Sequence, residues 1–593
     1  MAEAMVRSAA NSRWWWLAAS FCTLLIIAAY ANSLHNSFHF DDSHVIQSNV
    51  YIRSLHNVPL FFRDAHTFSS LPQNSTYRPL VTLSLSLDYM RGALDPYPYH
   101  VTQIVLLILA GALLVVFFVP LIGEWPTLFA ATLFCLHTAN TETMNLISAR
   151  SELLSTVGLL GSFVLFQRSL FARRTLLYLV PLAVGALAKA PLVVFAPLLF
   201  LYIRWFDDKQ RAWRESLPPL ILGVALLAFL NSMNAPEWQS GAGSQWHYLI
   251  TQPFVWMHYV RLFLLPIGLT ADTDWGTFDH WYDTRAIAGD AFVALLLFSI
   301  WRVKNRAVKF GLAWFAIALI PTSIFPLAEV ANEHRLFFAF IGLVLALAAA
   351  VPRDALPFVA VIVLTANLIG THERNKVWRT EDTLWADVVV KSPGNGRAWM
   401  NYGLTRMAKG AYGEAKNSFE RAAVLTPNYW VLEINRGIVE GELGNQAAAE
   451  QHFHRALDLN ADANAHFFFA RWLVQHGRAR EALPHLRDAL RISPAFAEAR
   501  ALLLRLDAAG GDDRGLRALM EETRRIDPGE PALADVTRVW PSFDAALAAC
   551  TTATHRADWL AAAYACRNAV GLDPHSADAV SNEGLALQKL GFR

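Results

Sequence analysis

A chain of 593 residues is too long to fold as one domain. Only 17% of it is charged and 54% is hydrophobic, with a mean hydropathy of +0.29, which fits a membrane protein diluted by a water-exposed part. A formal charge of +1 supplies no basic field, and so argues against a nucleic-acid partner.

Arg7 and Arg13 precede an apolar run at 14–31. The run is longer than the apolar core of a signal peptide, and no small-residue cleavage site follows it before Asn32-Ser33. An uncleaved first helix with a cytoplasmic N-terminus is predicted. A long polar loop, 32–100, comes next. Further apolar runs lie at 101–121, 126–139, 151–168, 174–188, 190–204, 216–233, 287–303, 308–325, 335–351 and 355–372. Three basic loops, at Arg168/Arg173/Arg174, Arg204/Lys209/Arg211/Arg214 and Arg302/Lys304/Arg306/Lys309, read as cytoplasmic. With those loops inside, the stretch 251–267 cannot cross, and its His258, Arg261 and flanking tryptophans suit a re-entrant or interfacial helix. About eleven crossings result, with loop 32–100 and everything beyond 373 outside.

From about Pro393 the composition turns rich in Ala, Arg and Glu, and the pattern repeats. Trp399, Gly403, Ala415, Phe419, Ala422 and Pro427 match the tetratricopeptide spacing. Gly437, Ala449, Phe453 and Ala456 follow one period on, then Ala470, Ala482, Leu486, Ala489 and Pro494. Small residues let paired helices approach, and proline ends the second helix. The fold class is therefore all-α: a polytopic membrane domain over 1–372, a linker over 373–392 and a helical-repeat solenoid over 393–593, whose concave face suits a protein partner. Cys550 and Cys566 fall in the repeats and could form a disulfide if that segment faces an oxidising compartment. Cys22 and Cys135 sit in apolar runs and read as packing residues.

The polar motifs all fall on the outer face. Asp41-Asp42 either orders the first loop as a turn or supplies a carboxylate that deprotonates a hydroxyl. His39 and His44 invite a metal, but no closed ligand set accompanies them, so a divalent ion is not supported. Arg78 either anchors an interfacial aromatic belt with Tyr77, Tyr97, Tyr99 and His100, or binds a phosphate oxygen. His137, Glu142, Arg150 and Glu152 either satisfy one another across two spans or support a site. Lys189 snorkels or meets a phosphate. Glu333-His334-Arg335 opens a span, and its arginine fork suits an anionic head group.

Taken in order, Phe40-Asp41-Asp42, Tyr77-Arg78-Pro79-Leu80, Tyr99-His100, Leu133-Phe134 with His137, Glu142, Arg150 and Glu152, Lys189, Tyr259-Val260-Arg261-Leu262 with Pro266, Pro321-Thr322-Ser323, Glu333-His334-Arg335-Leu336 and Arg374-Asn375 with Trp378 resemble the transmembrane and tetratricopeptide-repeat family of protein O-mannosyltransferases and its bacterial relatives. The resemblance spans nearly the whole chain. It implies a membrane glycosyltransferase of the GT-C class, which moves a sugar from a polyprenyl- or dolichyl-phosphate carrier to a Ser or Thr hydroxyl of an exported protein, with inversion. Carried over, Asp41 is the base and Asp42 its companion, in either order. Arg335 and Lys189, with Arg78, meet the carrier phosphate. His137, Glu142, Arg150, Glu152, Glu333, His334 and His100 form the supporting polar cluster. No cofactor beyond the lipid-linked sugar is implied. Two positions depart from the family pattern: Thr138 replaces the usual proline after His137, and Ala190 the usual glutamate after Lys189. The rival expectation is a non-catalytic, membrane-anchored repeat scaffold for envelope or secretory assembly. High Ala and Arg in the tail favours a bacterial inner membrane with site and repeats periplasmic, or the endoplasmic reticulum lumen if the chain is eukaryotic.

Overall fold

A computed structural model describes residues 2–189, 193–235, 244–327 and 329–592, the side chains of 2–12 excepted. Ala190, one of the two departures above, lies outside the described residues. Every long element is a helix, and the chain divides into two compact units, 1–47 with 54–393 and 48–53 with 394–593.

Among the described residues eight helices are long and apolar enough to cross a bilayer, which makes this an integral membrane protein. The second of them, α1 (Tyr97–Ile122), shows why such segments form. Pro98 stands in its first turn, where a missing N–H costs nothing, and Gly123 at φ +86° ends it. Its 26 residues rise about 39 Å, more than the hydrocarbon thickness. The expected crossing at 174–188 is different. It contains a single turn and then α2 (Leu179–Ala186), whose eight residues rise only about 12 Å. Leu176 takes φ +60°, and Arg173 is drawn into salt bridges with Asp207 (2.6 Å) and Glu215 (2.5 Å), so apolar composition there did not make a continuous helix. The stretch predicted not to cross forms α3 (Gln245–Leu264). Two later helices, α4 (Arg306–Ile324) and α5 (Leu336–Ala350), cross at their glycines. A Cβ on Gly311 would lie 2.3 Å from the carbonyl oxygen of Gly342, and the converse holds at the same distance. Residues 373–392, the expected linker, carry the last turn of α6 (Leu356–Val377) and all of α7 (Glu381–Lys391), with Trp378 and Trp385 buried.

The second unit is a run of helix pairs, beginning with α8 (Gly396–Ala408) and α9 (Tyr412–Leu425), then α10 (Trp430–Glu442) and α11 (Gln446–Leu459). Gly403 faces the Phe419 ring, where a Cβ would meet a ring carbon at 2.5 Å, and Ala415, Phe419 and Ala422 are fully buried. Gly410, Gly444 and Gly477 sit at φ +72°, +86° and +71°, each in the turn that ends the first helix of its pair. Cys550 and Cys566 are disulfide-bonded.

Candidate functional site

The acidic pair of the first loop is split by its surroundings. Asp42 is fully buried, and its carboxylate accepts three backbone N–H groups: His39 (3.2 Å) and Ile147 (3.2 Å) on Oδ2, and Ser148 (2.7 Å) on Oδ1. It fastens the loop to the segment leading into the helix Arg150–Arg168. Burial pushes Asp42 up to about 6, against the bonds from Ser148 and His39, the His39 charge and the Ile147 bond. Asp41 points outward, its side chain 67% exposed, with His44 Nε2 at 3.5 Å. Burial of its surroundings raises the Asp41 carboxyl, but the hydrogen bond and charge of His44 and the charges of Arg78 and His334 together bring it below its ordinary value.

The backbone between these acids and the core is held from elsewhere. Phe40 takes φ +50°, which bulky residues rarely adopt. Its ring packs on Trp385 (4.9 Å between centroids) and Trp378 (6.2 Å). His39 joins Glu381 Oε1 and the Trp378 carbonyl, each at 2.6 Å. His44 is fixed by Ser69 Oγ at 2.9 Å on Nδ1 and by the Asn74 amide at 3.2 Å on Nε2. Ser69 donates its own proton to the Leu71 carbonyl, so His44 Nδ1 is the donor of that pair.

Three cations act on the same region. Lys189 is ion-paired with Glu152. Burial lowers its pKa, the Glu152 charge and hydrogen bond raise it, and the Arg78 and Arg335 charges lower it again. Arg335 is buried and donates to the carbonyl of Glu329 (2.8 Å) and to Tyr248 Oη (3.4 Å), with the Glu329 carboxylate at 3.6 Å. Arg78 differs from both. Its guanidinium lies over the Phe68 ring at 5.2 Å, and among the described residues no hydrogen bond or ion pair holds it. Burial lowers its pKa, opposed by the charges of Asp41 and Glu152. An unpaired guanidinium beside an ionised, exposed carboxylate can receive an anion while the acid receives a proton.

His137, Glu142, Arg150 and Glu152 do not bond to one another; each has a partner elsewhere. Glu142 is buried, accepts His334 Nδ1 at 2.6 Å, and takes the backbone N–H of Glu333 at 3.1 Å on its other oxygen. Glu333 accepts the Thr270 N–H at 2.7 Å. His137 meets the Phe263 carbonyl at 2.9 Å and His100 the Asn36 carbonyl at 3.0 Å. Arg150 is fully buried and paired to Asp88 at 2.5 Å, with further bonds to the Tyr99 carbonyl (2.9 Å) and Gln103 (3.1 Å). Asp41, Arg78, Glu152, Lys189, His334 and Arg335 are thus coupled, while Asp42, His100, His137 and Arg150 are bound into the framework. Asp88, Tyr248 and Glu329 were missed by the sequence reading. Of these only Asp88 leaves a signal, as a lone acid in the otherwise apolar helical pattern of 79–90. Thr138, where the family has proline, donates its N–H to Asn367 Oδ1 at 3.0 Å, a bond proline cannot make. Among the described residues no three His, Cys, Asp or Glu side chains gather as a metal would need.

No family model matches the chain. It is related to curated protein O-mannosyl-transferases along most of its length. A Caenorhabditis elegans protein of that name is 22% identical over 68% of this chain and 62% of its own. The Mus musculus protein O-mannosyl-transferase TMTC3 is 22% identical over 73% of this chain and 54% of its own, and the Drosophila melanogaster Tmtc3 24% over 73% and 58%. The matched region therefore spans little more than half the length of those relatives. Among solved structures, a tetratricopeptide protein with a peptide-binding site, YrrB, covers 34% of this chain and 97% of its own at 16% identity and a TM-score of 0.23. The Cut9–Hcn1 hetero-tetramer covers 78% and 90% at 12% and 0.25. Scores that low carry no argument, and the repeat fold rests on the helix pairs themselves.

Proposed function

We propose that this protein is a membrane glycosyltransferase of the GT-C type that moves a sugar from a polyprenyl- or dolichyl-phosphate carrier to a Ser or Thr hydroxyl of an exported protein. The observation that carries the reading is Asp41: an exposed carboxylate, kept ionised by positive neighbours, beside an arginine with no acid of its own. Asp41 takes the hydroxyl proton as the oxygen attacks the anomeric carbon. The bond from that carbon to the phosphate oxygen breaks on the opposite face, so the configuration inverts. Arg78, Lys189 and Arg335 screen the departing phosphate, a charge already stable enough that screening and proton removal are the main tasks. The hydrogen bond and charge of His44, with the charges of Arg78 and His334, favour the ionised carboxylate. Asp42 positions the loop and stays out of the proton transfer.

The site and repeats face an oxidising compartment in this reading, which the Cys550–Cys566 bond supports. The repeats hold the acceptor. The names of the relatives make mannose the first sugar to test.

The test uses the full chain in lipid nanodiscs with polyprenyl-phosphate mannose and a Ser/Thr peptide, read by peptide mass. The wild type is expected to add one hexose. Asp41→Asn should lower the rate about 10²- to 10⁴-fold with unchanged thermal unfolding. Full activity in that variant would remove Asp41 as the base, and no transfer from any lipid-linked hexose by the wild type would remove the function.

A further inference from the structure

A cavity of about 310 Å³ shares Glu333 with the site above but is lined by none of Asp41, Arg78, Lys189 or Arg335. Its volume is at the lower end of pockets that take small organic ligands, about 300–1,000 Å³. Glu333 is 5% exposed, and while its Oε1 is bonded to Thr270, its Oε2 is buried with no hydrogen-bond partner. A buried carboxyl oxygen left unsatisfied is costly and calls for a hydrogen-bonding partner. The side chains of Asn332 and Ser392 line the same space and make no hydrogen bond among the described residues, and the His258 ring makes only aromatic contacts.

These free groups narrow the ligand. The lining holds two cations, Arg261 and Lys391, and two acids, Asp274 and Glu333, and Lys391 is already paired with Asp387 at 2.7 Å, so the walls favour neither a phosphate nor a metal ion. Donors and acceptors are mixed, as a hydroxyl requires, since it both gives and takes a bond. Trp275 provides a flat apolar wall, with the His258 ring 4.5 Å from its own at an angle of 59°. A pyranose ring offers a C–H face for such a wall and a rim of hydroxyls for the rest.

We infer that this cavity is a second carbohydrate subsite, taking a neutral hexopyranose apart from the one undergoing transfer. Asn332, Glu333 and Ser392 bond its hydroxyls, and Trp275 carries its apolar face. The occupant is a sugar already borne by the acceptor, so that transfer is directed beside an existing glycan. That last role rests on the transferase reading; the ligand class of the cavity does not.

The experiment is saturation-transfer NMR on the full chain in nanodiscs with methyl α-D-mannopyranoside and methyl α-D-glucopyranoside, and ³¹P line width with inorganic phosphate. At least one glycoside should show saturation transfer in the wild type and equally in Asp41→Asn. Trp275→Ala and Asn332→Ala should lose it about fivefold or more, and Trp275→Phe should restore it, which separates loss of the aromatic wall from loss of fold. Phosphate should compete with none of these signals. A cavity that holds only water gives no transfer from either glycoside, and that result overturns the inference, as does transfer unchanged in Trp275→Ala. Glycoside binding without lipid-linked sugar transfer would sink the transferase reading and leave the subsite standing; transfer without glycoside binding would do the reverse.

Discussion

Replacing Asp42 by asparagine separates two opposing effects that the fold places on one side chain. The carboxylate accepts three N–H groups on two oxygens. An asparagine oxygen can keep either the His39 and Ile147 pair or Ser148, and its NH₂ must then face the N–H it cannot accept. A buried donor left unpaired costs about 1–3 kcal/mol. Against this, burial has moved the Asp42 carboxyl from an ordinary 3.8 to about 6. That difference of about 2 units is about 3 kcal/mol of strain on the ionised form at pH 7, and the neutral amide does not bear it. The cost is no larger than the strain relieved, so at neutral pH the variant should be as stable as the wild type or up to about 2 kcal/mol more stable. Acid should separate them. The folded wild type binds the Asp42 proton more tightly than the unfolded chain does. Lowering the pH from 7 through 6 towards 4 therefore adds up to about 3 kcal/mol to its stability through this group, and nothing to the variant's. The assay is denaturant unfolding in mild detergent, followed by tryptophan fluorescence, at half-unit steps between pH 4 and 7. Only the difference between the two proteins is read, so every other titrating group drops out. A difference that stays flat across that range would refute the reasoning.

Other expectations follow from single contacts. Arg78→Met removes a guanidinium that has no ion pair to break, so thermal unfolding should shift little, while kcat/KM for the lipid-linked donor falls about ten- to a hundredfold through loss of a charge-assisted contact; unchanged kinetics would clear Arg78 of any donor role. Arg150→Met strands the buried Asp88 and should cost about 3–5 kcal/mol, towards the lower end because Arg91 still reaches that acid; an unaltered unfolding curve would show the pair contributes nothing. Gly311→Val forces a side chain into the Gly342 carbonyl and should destabilise by about 1–3 kcal/mol or more. Gly276→Ala, where nothing lies within 4 Å of the added carbon, serves as the control and should be silent.

The repeats were legible because their information is local: a glycine or alanine facing an aromatic, at a fixed period, as Gly403 and Phe419 show. The membrane helices were legible by length and apolarity, except where continuity mattered. Nothing in the hydropathy of 174–188 reveals that Arg173 is held by Asp207 and Glu215, or that the chain turns at Leu176. The candidate site can be picked out of the sequence as a set of residue types, but not as a set of pairs. Glu142 and His334 are 192 residues apart, and Arg150 finds Asp88 rather than the neighbouring Glu152. Asp41 and Asp42 look equivalent in the sequence; only the three amides that close around one of them distinguish the pair.

The two tryptophans beneath Phe40 bear on how such a chain can be recombined. The acid belongs to the first loop, but its aim is set by rings and a carbonyl carried much later, His39 meeting Trp378 across 339 positions. A chimera that exchanges the first loop between relatives without the segment around Trp378–Trp385 inherits the carboxylate and loses its orientation. The two stretches are one hereditary unit, written at opposite ends of the membrane domain.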